Sequence, residues 1–112
     1  ETDFVVAALK PMVALYMGGM GAKEQNFHKQ VFERMGYGEL ADEVQAKYLA
    51  GEKDAAAGLI PDELVHDLHI VGTPEQVRAK VAQWEASGVT TLLLSCRTPE
   101  EVRRVAQVLA GD

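Results

Sequence analysis

The sequence predicts an α/β fold that is mostly helical and contains one buried strand. Thr73 can cap a helix through its hydroxyl, Pro74 follows at the first helical position, and Gln76 completes a capping box. Gly88 is expected to end this helix, because glycine readily adopts the left-handed conformation of helix ends. The apolar residues of the next segment, Val89 to Ser95, do not alternate with polar ones. That pattern is typical of a parallel strand that is covered on both faces.

Length and composition narrow the class of protein. The 112 residues suffice for one domain with a modest core, and 47% hydrophobic with 25% charged residues predict a globular fold. A net charge of -6 argues against nucleic acid or an anionic membrane surface as main partner, because both require a basic patch. No apolar run in the sequence reaches the roughly 18 residues that span a bilayer. Since Cys96 is the single cysteine, no internal disulfide can form, and we expect a cytoplasmic protein.

Residues 1–70 are predicted to be helical. Pro11 interrupts the first apolar segment, so either that segment ends before the proline or one long helix bends there; we favour a helix from Pro11 to Met17. The cluster Gly18-Gly19-Met20-Gly21 is interpreted as a tight corner between helices. The alternative, a phosphate cradle, lacks the GxGxxG spacing and a following GK[ST]. Further helices are predicted at Lys23 to Met35, Glu39 to Ala50 and Pro61 to Leu68, with a short alanine-rich turn at Asp54 to Gly58.

The pattern that predicts a helix start at Thr73 is repeated at Thr98. Pro99 again follows the capping residue, and the acidic pair Glu100 and Glu101 comes next. This last helix is expected to end at Gly111. A single strand between two helices has unpaired N–H and C=O groups along both edges, so it cannot form a complete domain. We therefore expect a piece of a longer protein, which the start at Glu1 also suggests, or self-association through Val89 to Leu94.

The loop after the predicted strand holds the first candidate site. Ser95 and Arg97 would lie at the carboxyl end of the strand, before a helix N-terminus that favours anions, so both are candidates for binding a phosphate of a cofactor. Arg97 could instead lie on the surface or pair with Glu100 or Glu101. Cys96 lies between the two candidates. A catalytic thiol would need a base or a positive environment beyond Arg97, so a buried or loop cysteine is favoured.

His66 and His69 form the second candidate site. Their spacing suits one face of a helix, and Asp62, Glu63 and Asp67 lie nearby in sequence. A zinc site needs more ligands than this pair, and no third ligand motif is evident. Solvated histidines near a helix end are therefore the favoured interpretation, and no metal is expected.

Three stretches of sequence resemble a known enzyme family. The segment IPDELVHDLHIVGTPEQVRAKVAQWEASGVTTLLLS resembles the carboxyl-terminal part of luciferase-like flavin and deazaflavin oxidoreductases. The segments ALYMGGMGAKEQNFH and MGYGELADEVQAKYLAGEKDAAA resemble the branch that uses coenzyme F420. The resemblance implies a C-terminal fragment of a (β/α)8 TIM barrel. In that fragment, residues 1–70 would be a helical insertion region and residues 71–112 the last helix, strand and helix.

The same resemblance implies a function for the parent enzyme. That enzyme would transfer a hydride between reduced F420 and an organic substrate, with FMN and a monooxygenase reaction as the alternative. Because the first seven strands carry most cofactor-binding and catalytic residues in this family, no catalytic residue is assigned here, and the fragment is expected to bind no cofactor and to be inactive alone. Its partners would be the remainder of the barrel and other copies of itself. The alternative from another functional class is a non-enzymatic helical module that binds other proteins.

Overall fold

The chain is described by a computed structural model over residues 1–110. It divides into two compact units, Asp3–His69 and a second that begins at Ile70. The elements in chain order are α1 (Thr2–Ala14), the π-helical segment π1 (Leu15–Gly19), α2 (Phe27–Phe32), a second π-helical segment π2 (Glu33–Tyr37), α3 (Gly38–Leu49), α4 (Lys53–Gly58), α5 (Asp62–Leu68), α6 (Pro74–Ala86) and α7 (Pro99–Ala110). The predicted helix end at Gly111 lies outside the described residues. No helix among residues 1–110 is long and apolar enough to cross a membrane.

The buried core of the chain lies in the first unit. Each α-helix of that unit and π1 contribute at least one buried apolar side chain, and the largest fully buried ones come from π1, α3, α5 and, with Ile60, the segment before α5. The buried apolar residues are Val6, Val13, Ala14, Met17, Phe32, Ala41, Val44, Ala56, Ile60, Leu64 and Val65. Since burial of a large apolar side chain contributes about 1.5 to 3 kcal/mol, this cluster holds the short helices together.

The first helix differs from its predicted bounds. It runs from Thr2 to Ala14 and contains Pro11, whereas the sequence favoured a helix that begins at the proline. Proline removes the hydrogen bond to the carbonyl four residues earlier, which is that of Ala7. Both Ala7 and Pro11 are exposed, so water can solvate the carbonyl that loses its partner. The helix therefore continues through Pro11.

Asn26 sets the start of α2. Its side-chain oxygen accepts a hydrogen bond from the Lys29 backbone at 2.9 Å, and its amide nitrogen donates to the Met17 carbonyl at 3.1 Å. Asn26 is only 2% exposed, so it caps the helix and ties it to π1. The predicted start at Lys23 was too early, because capping by Asn26 competes with helix extension.

Of three further features of the first unit, one follows the prediction and two differ from it. Gly36 has a φ of 95° and breaks the chain between α2 and α3, as the predicted helix end there required. The alanine-rich segment predicted as a turn forms the short helix α4. Pro61 precedes α5 as its N-cap residue and does not occupy the first helical position.

The second unit begins with the predicted capping box. Thr73 Oγ1 accepts from the Gln76 backbone N–H at 3.3 Å, and Gln76 Oε1 accepts from the Thr73 backbone N–H at 2.8 Å. Gly88 has a φ of 94° and lies just beyond the end of α6, as predicted. Thr98 Oγ1 likewise accepts from the Glu101 backbone at 3.1 Å at the start of α7. Both helix starts are therefore confirmed.

The predicted strand from Val89 to Ser95 is wrong for this chain. Residues 89–96 form neither a helix nor a ladder with any other described segment. Leu93 is 95% exposed and Leu94 is 55% exposed, so the expectation that both faces are covered is wrong as well. A strand is defined by pairing with a neighbour, and residues 1–110 supply no second strand for it. The fold of the described residues is therefore helical, and no part of a barrel sheet is formed.

Candidate functional site

The loop that holds Ser95 and Arg97 lies directly before α7. Both residues are exposed, and Cys96 between them is a half-buried free thiol. The backbone N–H of Arg97 donates to Glu101 Oε2 at 2.6 Å, so the carboxylate of this chain's own Glu101 lies at the helix N-terminus. The helix N-terminus favours negative charge, and in this chain Glu101 supplies that charge. Binding of a cofactor by Ser95 and Arg97 stays a prediction.

The two histidines of the predicted metal alternative do not lie in a metal-binding cluster. Within residues 1–110, no group of three or more His, Cys, Asp or Glu side chains is arranged to hold a metal ion. His66 is exposed near the end of α5. The Nδ1 atom of His69 lies 3.1 Å from the Val65 carbonyl oxygen, one helical turn earlier. His69 therefore has a specific local partner.

The glycine cluster after α1 is a packing contact. A Cβ atom on Gly18 would lie 2.9 Å from the Gln45 Cα and 3.1 Å from the Tyr48 Cβ. A Cβ atom on Gly19 would overlap the Tyr48 ring. The glycines thus let π1 approach α3 more closely than any side chain would allow. This geometry agrees with the interpretation of a corner between helices and provides no support for a phosphate cradle.

A cavity of about 630 Å³ in the first unit adjoins a polar network. Lys29 Nζ lies 2.6 Å from Asp42 Oδ1 and 3.0 Å from Gln45 Oε1. The Gln45 amide then donates to the Lys23 carbonyl oxygen at 3.2 Å. Because these polar groups already bind one another, the network connects α2 and the preceding loop to α3. Its role is structural.

A smaller cavity of about 270 Å³, here called the Tyr16 pocket, has an apolar lining with a few polar groups. Its walls are formed by Met12, Val13, Tyr16, His28, Val31, Phe32, Leu68 and His69. The Tyr16 and His28 rings meet edge to face, with centroids 5.0 Å apart and planes at 67°. Apolar walls with a few polar groups that converge are typical of small-molecule sites.

Sequence reasoning missed two residues of this pocket. Tyr16 and His28 lie on opposite sides of the glycine corner, and no local motif connects them. His69 was considered only as a metal ligand with His66. The signal that could have found the pocket is the corner itself, because a tight turn after α1 returns the chain along the same face of the helix.

Comparison with known proteins gives two matches to one enzyme family. The family described as luciferase-like monooxygenase matches residues 5–91 of the chain. A Mycobacterium tuberculosis protein, provisionally named a coenzyme F420-dependent oxidoreductase, is 50% identical over 103 residues, which is 92% of this chain. The chain spans 30% of the length of that relative. No solved structure matches the chain.

Proposed function

The chain belongs to the luciferase-like monooxygenase family, and on that premise we propose that it is the C-terminal part of a coenzyme F420-dependent oxidoreductase. The identity of 50% to a relative named for F420, over 92% of the chain, is the observation that carries the proposal. Because the chain spans only 30% of that relative, the proposed activity belongs to the longer protein.

The proposed reaction is hydride transfer between reduced F420 and an organic substrate. F420 supplies the hydride-carrying deazaflavin ring when it is bound. Ser95 and Arg97 are exposed beside a helix N-terminus, so their side chains would hold an anionic group of such a coenzyme once it displaced the Glu101 carboxylate from the Arg97 backbone N–H. Their role would be to bind that group and so to orient the coenzyme. We propose that the chain alone is inactive, because it spans only 30% of the length of the relative named for F420.

The longer protein would give the second unit its sheet. In this proposal, residues 1–70 are a helical insertion, and residues 71–112 contribute the last helix, strand and helix of a TIM barrel. The exposure of Leu93 and Leu94 supports the proposal, because two adjacent exposed leucines in an unpaired segment suit a strand whose neighbours lie elsewhere in the protein. The alternative is that this segment pairs with the same segment of a second copy of the chain. We also propose that the longer protein is cytoplasmic.

The experiment compares the longer protein with the 112-residue chain. Both are purified in parallel, and any bound cofactor is identified by its absorbance and mass. We expect F420 in the longer protein and none in the chain. Recovery of FMN would overturn the F420 assignment and support a monooxygenase of the same family, which the family description favours.

Substitution of Leu93 tests whether residues Val89 to Ser95 form a buried strand in the longer protein. Leu93→Asp in the longer protein should abolish soluble folding, because a charge buried in a sheet without a partner costs several kcal/mol. Gln83→Asp is the matched control, because it introduces the same charge at an exposed position of α6 that does not line the cavity beside Val89 to Leu92, and it should leave soluble folding intact. If the coding frame contains no further βα pattern upstream of Glu1, the enzyme hypothesis is wrong and the helical interaction module is the better interpretation.

A further inference from the structure

The Tyr16 pocket has the size of a site for one small ring. Its volume of about 270 Å³ exceeds the roughly 150 Å³ of an apolar cavity that holds benzene. It lies just below the range of about 300 to 1,000 Å³ that is usual for sites of drug-sized ligands. A single aromatic ring with one or two substituents therefore fits, whereas a dinucleotide does not.

The walls of the pocket favour an aromatic ligand. Phe32 is buried in the wall, and Tyr16 and His28 already form an edge-to-face pair. Aromatic rings attract further rings in offset or edge-to-face arrangements, which contributes about 0.5 to 1.5 kcal/mol beyond the burial of area. A planar ligand can thus extend an aromatic cluster that the chain has already built.

His69 provides the polar recognition. Its Nδ1 lies 3.1 Å from the Val65 carbonyl oxygen, and because a carbonyl can only accept, the neutral ring carries its proton on Nδ1. The other ring nitrogen, Nε2, then has a lone pair that accepts a hydrogen bond. The contact with the α5 backbone favours this tautomer of the neutral ring, and because His69 lines the pocket, its Nε2 is the candidate acceptor for a ligand hydroxyl.

We propose that the Tyr16 pocket binds a small phenol, with the ring among Tyr16, His28 and Phe32 and the hydroxyl directed to His69. The inference goes beyond the proposed oxidoreductase function, because it concerns side chains that all lie in the first unit of this chain. It holds whichever redox cofactor the longer protein uses.

The methionines of the chain provide the readout. Met12 lines the pocket, while Met17, which is fully buried, does not line it. The 112-residue chain is labelled with ¹³C at the methionine methyl groups and titrated with 4-methylphenol. We expect the Met12 signal to shift saturably and the Met17 signal to stay in place. Toluene, which lacks the hydroxyl, should bind about 3- to 10-fold more weakly, the range expected for one hydrogen bond.

Two pairs of variants locate the binding. His69→Phe should weaken binding of 4-methylphenol about 3- to 10-fold and leave toluene binding unchanged, which also shows that the pocket still folds. His66→Phe is the matched control, because His66 is exposed and does not line the pocket. Val31→Trp should fill the pocket and abolish binding, whereas Val5→Trp, at an exposed position outside it, should not.

Three results would overturn the proposal. The first is a Met12 signal that does not respond to 4-methylphenol, and the second is one that responds equally to 4-methylphenol and toluene. The third is a loss of self-association in Val31→Trp, measured by sedimentation, without any ligand binding by the unsubstituted chain. That third result would identify the face as a contact for another copy of the chain.

Discussion

Replacing Gly18 by alanine tests the close approach of π1 to α3. The added Cβ would lie 2.9 Å from the Gln45 Cα and 3.1 Å from the Val44 carbonyl oxygen. Both are backbone atoms, so no flexible side chain can move aside. Overpacking of this kind typically costs about 1 to 3 kcal/mol. Alanine also recovers about 0.5 to 1 kcal/mol in a helix, because it has less conformational freedom to lose than glycine.

Gly38→Ala is the matched control. Gly38 has helical backbone angles, with φ at -59° and ψ at -48°, and its added Cβ would meet nothing within 4 Å. It therefore receives the helical gain of about 0.5 to 1 kcal/mol without the steric cost. The difference between the two variants isolates the steric term, which we expect to be about 1 to 3 kcal/mol.

Urea unfolding, followed by circular dichroism, measures this difference. Gly18→Ala should have a lower midpoint than the unsubstituted chain, and Gly38→Ala an equal or higher one, with the slope unchanged in both. Equal midpoints for the two variants would refute the packing argument. The glycine cluster would then be free of α3, and a phosphate titration of the unsubstituted chain would become the next measurement.

Three further perturbations have expected outcomes. Thr73→Ala should lower the free energy of unfolding by about 1 kcal/mol in urea titrations, because it removes the N-cap of α6, and Thr73→Ser should restore most of it. Lys10 hydrogen-bonds Asp62 at 2.6 Å and lowers the pKa of that carboxylate. The pair therefore stabilises the fold above the ordinary pKa of 3.8 and loses this contribution as the pH falls through the lowered value, so Asp62→Asn should reduce the acid sensitivity of the melting temperature. Leu93→Asp should leave the melting temperature of the isolated chain unchanged, because Leu93 is 95% exposed there.

The parts of the fold that local chemistry determines were predictable. Thr73 and Gln76 bind each other's backbone within one turn, so four consecutive residues contain the whole signal for the start of α6. Gly36 and Gly88 end helices through their own backbone angles, which glycine alone adopts readily. None of these features requires a contact with residues that are distant in the sequence.

The parts that depend on distant residues were not predictable. Asn26 caps α2 while it also binds the Met17 carbonyl oxygen, and the second contact appears only when the glycine corner brings π1 close. The Tyr16 pocket likewise combines α1, π1, α2 and the end of α5 around residues with no shared motif. Of the candidate site, the sequence indicated Ser95 and Arg97, because they precede a helix start, but it gave no indication of Tyr16 or His28.

The unpaired segment before α7 explains why the two units differ in packing. The first unit contains the buried core, whereas no described residue of α6 or α7 is buried, and an apolar cavity of about 270 Å³ adjoins Leu92 and Leu94. Burial of Leu93 and Leu94 would contribute about 1.5 to 3 kcal/mol each. That sum, about 3 to 6 kcal/mol, reaches the lower end of the whole stability of a small domain, which is about 5 to 15 kcal/mol. The second unit therefore has the most to gain from a neighbouring strand, whether that strand comes from the longer protein or from another copy of the chain.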